Sequence, residues 1–316
     1  MPSAPIDDSI VDVAEPRKDT IGLPEPALAR LTKAGVDLSN GYPYRPSRPL
    51  YLDDVYRIRS KEWKHDDAGA RADKSKSALL SAATKVTDLT THIGTEIEGL
   101  QLKDLTDQQK DELALLIAER SVVFFRNQDI SPQQQLALGR YYGEVEVHPQ
   151  VAQVPGNPGV TVIWPDLQAT ERSVSFRQPG DRSNPDSGPK HIERVHPLVR
   201  VHPATGWKAL WVNRTFTDRI VGLDRGESDA ILNYLFGVYE GNVDIQLRFK
   251  WTPGTSALWD NRVTIHNASW DYGGKYPRHG TRVTSLAEKP YFDDAAPTRR
   301  QALGLLDEGE LIPGRQ

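Results

Sequence analysis

The sequence predicts a mainly β fold with flanking helices, a β-sandwich of the jelly-roll kind. Three observations predict it. Short runs of alternating apolar and polar residues recur from about Thr87 to Phe292. Glycine and proline turns separate these runs at close intervals. Only a few segments carry helical periodicity, and they lie between strand-like runs, as helices flanking a sheet do.

Residues 1–85 differ from the rest. Prolines and charges interrupt them, LPEPALARLTKAG is the one short helix, and GYPYRPSRPLYLDDVYRIRS reads as an extended arm. This stretch is expected to form an N-terminal extension that wraps the core, with residues 86–316 as the main domain. In THIGTEIEGLQL the alternation marks strands, and Gly94 and Gly99 mark turns. LTDQQKDELALLIAERS is an amphipathic helix with Thr106 as N-cap and Leu113, Leu116 and Ile117 on one face. SVVFFRNQ is a short apolar strand. SPQQQLALGRYYGEV is a second helix, capped by Ser131 with Pro132 at its first position. Residues 172–192 are turn-rich. VHPLVRVHPATGWKALWVN predicts a hairpin around Ala204–Thr205–Gly206. ESDAILNYLFGVYE predicts a helix. DIQLRFKWTPGTSALWDNRVTIHNASWDY predicts a second hairpin, turning at Pro253–Gly254, and RVTSLAEKPYF closes the domain.

Bulk composition narrows the chemistry. The 316 residues carry a net charge of -4 and no cysteine. Disulfides, thiolate metal sites and cysteine nucleophiles are excluded. The charge gives no reason to expect nucleic acid or an anionic membrane as partner. No apolar stretch approaches bilayer length and the N-terminus has no secretory pattern, so the cytoplasm is the expected location.

Three places carry candidate chemistry. His266 follows an alternating strand in TSALWDNRVTIHNASWDY, where an imidazole at a strand end can ligate a metal. On position alone a hydrogen-bonded surface histidine is the plainer account. Arg278 and Arg282, in RHGTR, are four residues apart, a spacing that suits one face of a strand. Guanidinium forks bind carboxylates and sulfonates through paired charged hydrogen bonds, and solvated strand charges are an equal alternative. His148, in VEVHPQ, follows a strand-like run.

Taken together, ERSVVFFRNQDISPQQQLALGRYYGEVEVHP, HPLVRVHPATGWKALWVNRTFTDRIVGL and LWDNRVTIHNASWDY with RHGTRVT resemble the taurine dioxygenase family of Fe(II)/2-oxoglutarate-dependent dioxygenases. Fungal sulfonate dioxygenases, which share the long N-terminal arm, look most similar. The resemblance covers most of residues 87–294. It implies a double-stranded β-helix, or jelly roll, holding Fe(II) with two histidines and a carboxylate. It assigns His266 as a metal ligand and Arg278 to the far carboxylate of 2-oxoglutarate. It places Arg282 and His148 on the acidic head of a small anionic substrate, and Phe216 on an apolar wall beside it. The implied reaction hydroxylates the carbon next to a sulfonate, releasing sulfite and an aldehyde, with succinate and CO2 from 2-oxoglutarate. Homo-oligomers are common in the family.

One part of the pattern is missing. The family draws its other two iron ligands from W-H-x-D, and this chain runs from ERSVSFRQPG directly into DRSNPDSGPKHIERVHP. The expectation is an internal deletion near 177–181, leaving an incomplete jelly roll. The formal His-x-Asp at His65–Asp66–Asp67 lies in the extension, and Asp181, Asp186 and His191 lie near the junction without ligand spacing. A working dioxygenase, a catalytically inactive or mis-spliced family member, and an interaction protein on a jelly roll stay open as readings.

Overall fold

Hydroxyl residues set the starts of two of the central helices. The computed structural model describes residues 23–44, 64–147, 151–164, 194–268 and 278–305. Thr106 and Ser131 each close a capping box, with Gln109 and Gln134 reaching back to their backbone amides. The helices Asp107–Arg120 and Pro132–Tyr142 follow. The strands are β1 (Lys85–Asp88), β2 (Thr95–Glu98), β3 (Val122–Phe125), β4 (Thr161–Ile163), β5 (Val199–Val201), β6 (Lys208–Leu210), β7 (Ser256–Trp259) and β8 (Gly280–Arg282).

Two compact units share the chain. One comprises Met1–Lys64, Ile130–Glu193 and Ala268–Ala287; the other comprises His65–Asp129, Arg194–Asn267 and Glu288–Gln316. The second unit contains a four-stranded sheet in the order β1-β2-β3-β7. β2 and β3 run parallel, so the chain needs a crossover between them, and the helix Asp107–Arg120 supplies it. That helix buries Leu113, Leu116 and Ile117, the face the sequence marks. β3 is central and buries Val123, Phe124 and Phe125. β7 pairs with β3 antiparallel, Trp259 opposite Val122. β5 and β6 form the expected hairpin, with Gly206 at a φ of 69° that a side chain would strain. The helix Arg225–Gly241 starts from a capping box at Asp224 and packs Leu232 and Phe236 beside Val212.

In the first unit the helix Glu25–Lys33 joins the core through Leu31. Tyr42, Val154, Val160, Val162 and Trp164 complete it. β4 pairs antiparallel with β8, so Thr161 faces Arg282. Gly139 lets the helix Pro132–Tyr142 approach β8, since a Cβ there would stand 2.4 Å from Val283 Cγ1.

Two expectations are modified. The second hairpin forms only one limb. β7 is present, but DIQLRFK contributes a 3-10 turn at Val243–Ile245 and no strand. A strand persists only with a hydrogen-bonding neighbour, and among the described residues none pairs with 246–252. Phe249 instead stacks on Phe124, centroids 3.6 Å apart. Sheets with flanking helices are present, but the eight strands fall into sheets of four, two and two, and no closed jelly roll forms among the described residues. No described helix is long and apolar enough to cross a membrane.

Candidate functional site

The strand carrying Arg282 is fixed from the helix side. Thr281 donates its hydroxyl to Gln135 Oε1 at 2.7 Å, and Gln135 returns a bond to the Thr281 carbonyl at 3.1 Å. Ser285 donates to the Gly139 carbonyl at 2.7 Å. Arg282 is half-buried, and its Nε is buried with no acceptor among the described residues. An orphaned charged donor there is costly unless a ligand satisfies it. Arg278 lies just before the strand, half-buried.

Between the arginines stands His279. Its Nε2 lies 2.7 Å from the Tyr42 hydroxyl, and its ring meets Trp164 edge-on at 5.9 Å. Burial, helped by the charge of Arg30, pushes its pKa down to about 4, so the ring is neutral near pH 7. Sequence reasoning passed over His279 because the arginines beside it held the pattern.

In the other unit, the WDNR run builds a turn before it builds anything else. The Trp259 indole donates to Asn261 Oδ1 at 2.9 Å. Asp260 accepts from the Arg262 amide at 2.8 Å and from its guanidinium at 2.6 Å. Thr264 closes the turn onto the Asp260 carbonyl at 2.6 Å. His202, almost fully buried, lies with Nε2 2.9 Å from Asp260 Oδ2, while its Nδ1 accepts the Ala204 amide. A neutral imidazole that accepts at Nδ1 must donate at Nε2. Burial alone would raise the Asp260 pKa; bonds from His202 and Arg262 more than reverse this and hold it below the carboxylate range.

Arg262 is also the hub of a wider network. Its Nη1 lies 2.7 Å from Asp67 Oδ2 and 2.7 Å from Glu288 Oε2. Glu288 pairs in turn with Arg200. Asp67 caps the Ala68–Arg71 turn by accepting from the Gly69 amide at 2.8 Å. Its pKa, raised by burial, is drawn below the usual range by His65 and Arg262. A surface pocket of about 490 Å³ opens here, lined by His65, Asp66, Asp67, Ala70, Arg71, Pro203 and Glu288.

His266 is exposed, its ring against Trp259 with centroids 5.1 Å apart. Phe216 is 79% exposed. His148, Asp181, Asp186 and His191 lie outside the described residues. The arginine pair falls in one unit, and His266 and Phe216 in the other.

The described residues do not fit an iron triad. One group of three can bring donor atoms within 4.8 Å of one another: His65, Asp67 and Glu288. His266 is not in it. A guanidinium already neutralises both of its carboxylates, and a dication would have to displace that cation.

The family model described as "Taurine catabolism dioxygenase TauD, TfdA family" matches residues 85–180 and again 166–284. The alpha-ketoglutarate-dependent dioxygenase cnsM of Penicillium expansum is 32% identical, over 80% of this chain and 91% of its own. The alpha-ketoglutarate-dependent sulfonate dioxygenase of Saccharomyces cerevisiae is 31% identical, over 73% of this chain and 74% of its own. The crystal structure of a taurine dioxygenase from Burkholderia xenovorans superposes with a TM-score of 0.53 at 26% identity, covering 66% of this chain and 91% of that one. The family model matches in two stretches that overlap at 166–180. The cnsM alignment occupies 330 positions yet engages four-fifths of a 316-residue chain, so dozens of the relative's residues have no counterpart here.

Proposed function

The chain belongs to the TauD/TfdA family of taurine catabolism dioxygenases, and on that premise we propose that it is built for 2-oxoglutarate-dependent oxidation of a small sulfonate. The reaction consumes dioxygen, placing one oxygen in succinate as CO2 leaves. The other oxygen hydroxylates the carbon beside the sulfonate, and the product collapses to an aldehyde and sulfite. Fe(II) is what activates dioxygen in such chemistry. The protein's own residues bind and orient the two anions.

The observation that carries this reading is the buried, unsatisfied Nε of Arg282 on a strand pinned to the helix Pro132–Tyr142. A sulfonate or carboxylate supplies the missing acceptor with a charge-assisted bond. In this reading Arg282 and His148 would hold the anionic head, Phe216 would flank its carbon, Arg278 would grip 2-oxoglutarate, and His266 would be one of the residues to hold the iron. A sulfate ester or carboxylate suits Arg282 equally, because a guanidinium does not separate these anions by charge.

A second reading is favoured by the metal chemistry: the 316-residue chain binds the anions and does not turn over. Two measurements separate the readings. Taurine and 2-oxoglutarate should raise the melting temperature, and Arg282→Ala should abolish the taurine effect; its persistence would remove Arg282 from the site. The oxidation expects Fe(II)-dependent succinate formation, and the second reading expects none. Succinate that requires taurine and disappears in His266→Ala would sink the second reading.

A further inference from the structure

The helix Arg225–Gly241 is apolar on two sides. Ser228, Leu232 and Phe236 face inward. Ile231, Tyr234 and Val238 sit at i, i+3 and i+7 on a second face about a third of a turn away, and Tyr234 is 73% exposed. A helix lying on a domain surface needs one apolar stripe, and the face toward water is ordinarily polar. The segment after it repeats the anomaly in another form. Ile245, Leu247, Phe249 and Trp251 alternate with Gln246, Arg248 and Lys250, the pattern of a half-buried strand. No strand forms there, and Trp251 is 54% exposed. Val243, between helix and segment, is 76% exposed.

A second apolar helix face and a strand-patterned segment without a ladder partner mark surface that something else covers. The comparisons say what is absent. Two relatives align only by leaving dozens of their own residues unmatched, and the family model matches in two stretches that overlap at 166–180. We propose that this surface is the seat of that internal segment: one of its strands pairs with 244–251, and its apolar side chains cover Ile231, Tyr234 and Val238. The 316-residue chain therefore presents half of an intramolecular interface. The same absence accounts for a metal site that the described residues do not fill. The inference rests on family membership and not on turnover by this chain.

The test compares the chain with a chimera carrying the unmatched segment of the Penicillium expansum relative at 166–180. The chain itself should bind the apolar dye ANS strongly, self-associate with rising concentration, and exchange the amides of 244–251 quickly. In the chimera dye fluorescence should fall several-fold, and those amides should exchange at least tenfold more slowly. Unchanged exchange in a folded chimera overturns the proposal, as does slow exchange at 244–251 in a monomeric form of the chain alone. If the chimera does not fold, Tyr234→Lys with Trp251→Lys in the chain decides. Loss of self-association and dye binding with an unchanged melting temperature supports an uncovered seat. A melting temperature lowered by the pair shows that the surface is already packed, and overturns it. Succinate formation is measured separately. A chimera that covers the surface yet makes no succinate leaves this inference standing and counts against the oxidation; an active chimera with fast exchange does the reverse.

Discussion

At the scale of single residues, Arg262 carries the heaviest load. Three carboxylates, Asp67, Asp260 and Glu288, converge on one half-buried guanidinium, with Arg200 as a further cation. Removing one member of such a buried set costs more than the set contributes, because unpaired charge stays out of water. Arg262→Ala is expected to destabilise the protein by about 3–5 kcal/mol in urea unfolding. Arg262→Lys should recover little, since an ammonium cannot span the same fork. A loss under about 1 kcal/mol would show that the network is solvated like an exposed ion pair. The WDNR run is thus a structural device as well as a family signature, which the sequence did not disclose. The partners Asp67, His202 and Glu288 are 26 to 195 residues from Arg262 or Asp260 in the pairings that the fold creates.

At the scale of elements, the helix starts were written locally and the strand contacts were not. Thr106 and Ser131 cap where a hydroxyl residue precedes a glutamine by three, a rule that needs no tertiary information. The close approach of the helix Pro132–Tyr142 to β8 depends instead on Gly139 meeting Val283. In an exposed helix Gly→Ala would gain up to about 1 kcal/mol. Here the new methyl would enter a space 2.4 Å from Val283 Cγ1, so Gly139→Ala is expected to cost about 1–3 kcal/mol through overpacking. Trimming the neighbour in Gly139→Ala with Val283→Ala should return part of that loss. Chemical denaturation of the three variants checks this, and equal loss in single and double variants would mean the clash is not the cause. The missing limb of the second hairpin has the same lesson. The alternation of DIQLRFK is legible, but a strand also needs a neighbour, which local sequence cannot supply.

At the scale of the whole molecule, pH reads the buried groups together. His279 has its pKa depressed from 6.5 to about 4. Its contribution to stability is present above the unfolded value of 6.5 and is lost as pH falls from there toward 4. The depressed pKa values of Asp67 and Asp260 add a further loss at lower pH, below the usual carboxylate range. Unfolding free energy should therefore fall by about 3 kcal/mol across the His279 window, and His279→Phe should flatten that slope while leaving the more acidic part. An unchanged slope in the variant would assign the dependence to other groups.

The sequence by itself determined the family, the capped helices and the buried central strand, because caps, periodicity and short motifs are local. It also showed that a His-x-Asp pair is missing from its family place. Only the tertiary structure decided which side chains meet. It gave Asp260 and Arg262 to a charge network with His202, Asp67 and Glu288, set His279 beside Tyr42, and left one face of the helix Arg225–Gly241 open to water. Those outcomes depend on elements far apart in the chain approaching one another, and on the burial that sets their electrostatics, neither of which any local pattern encodes.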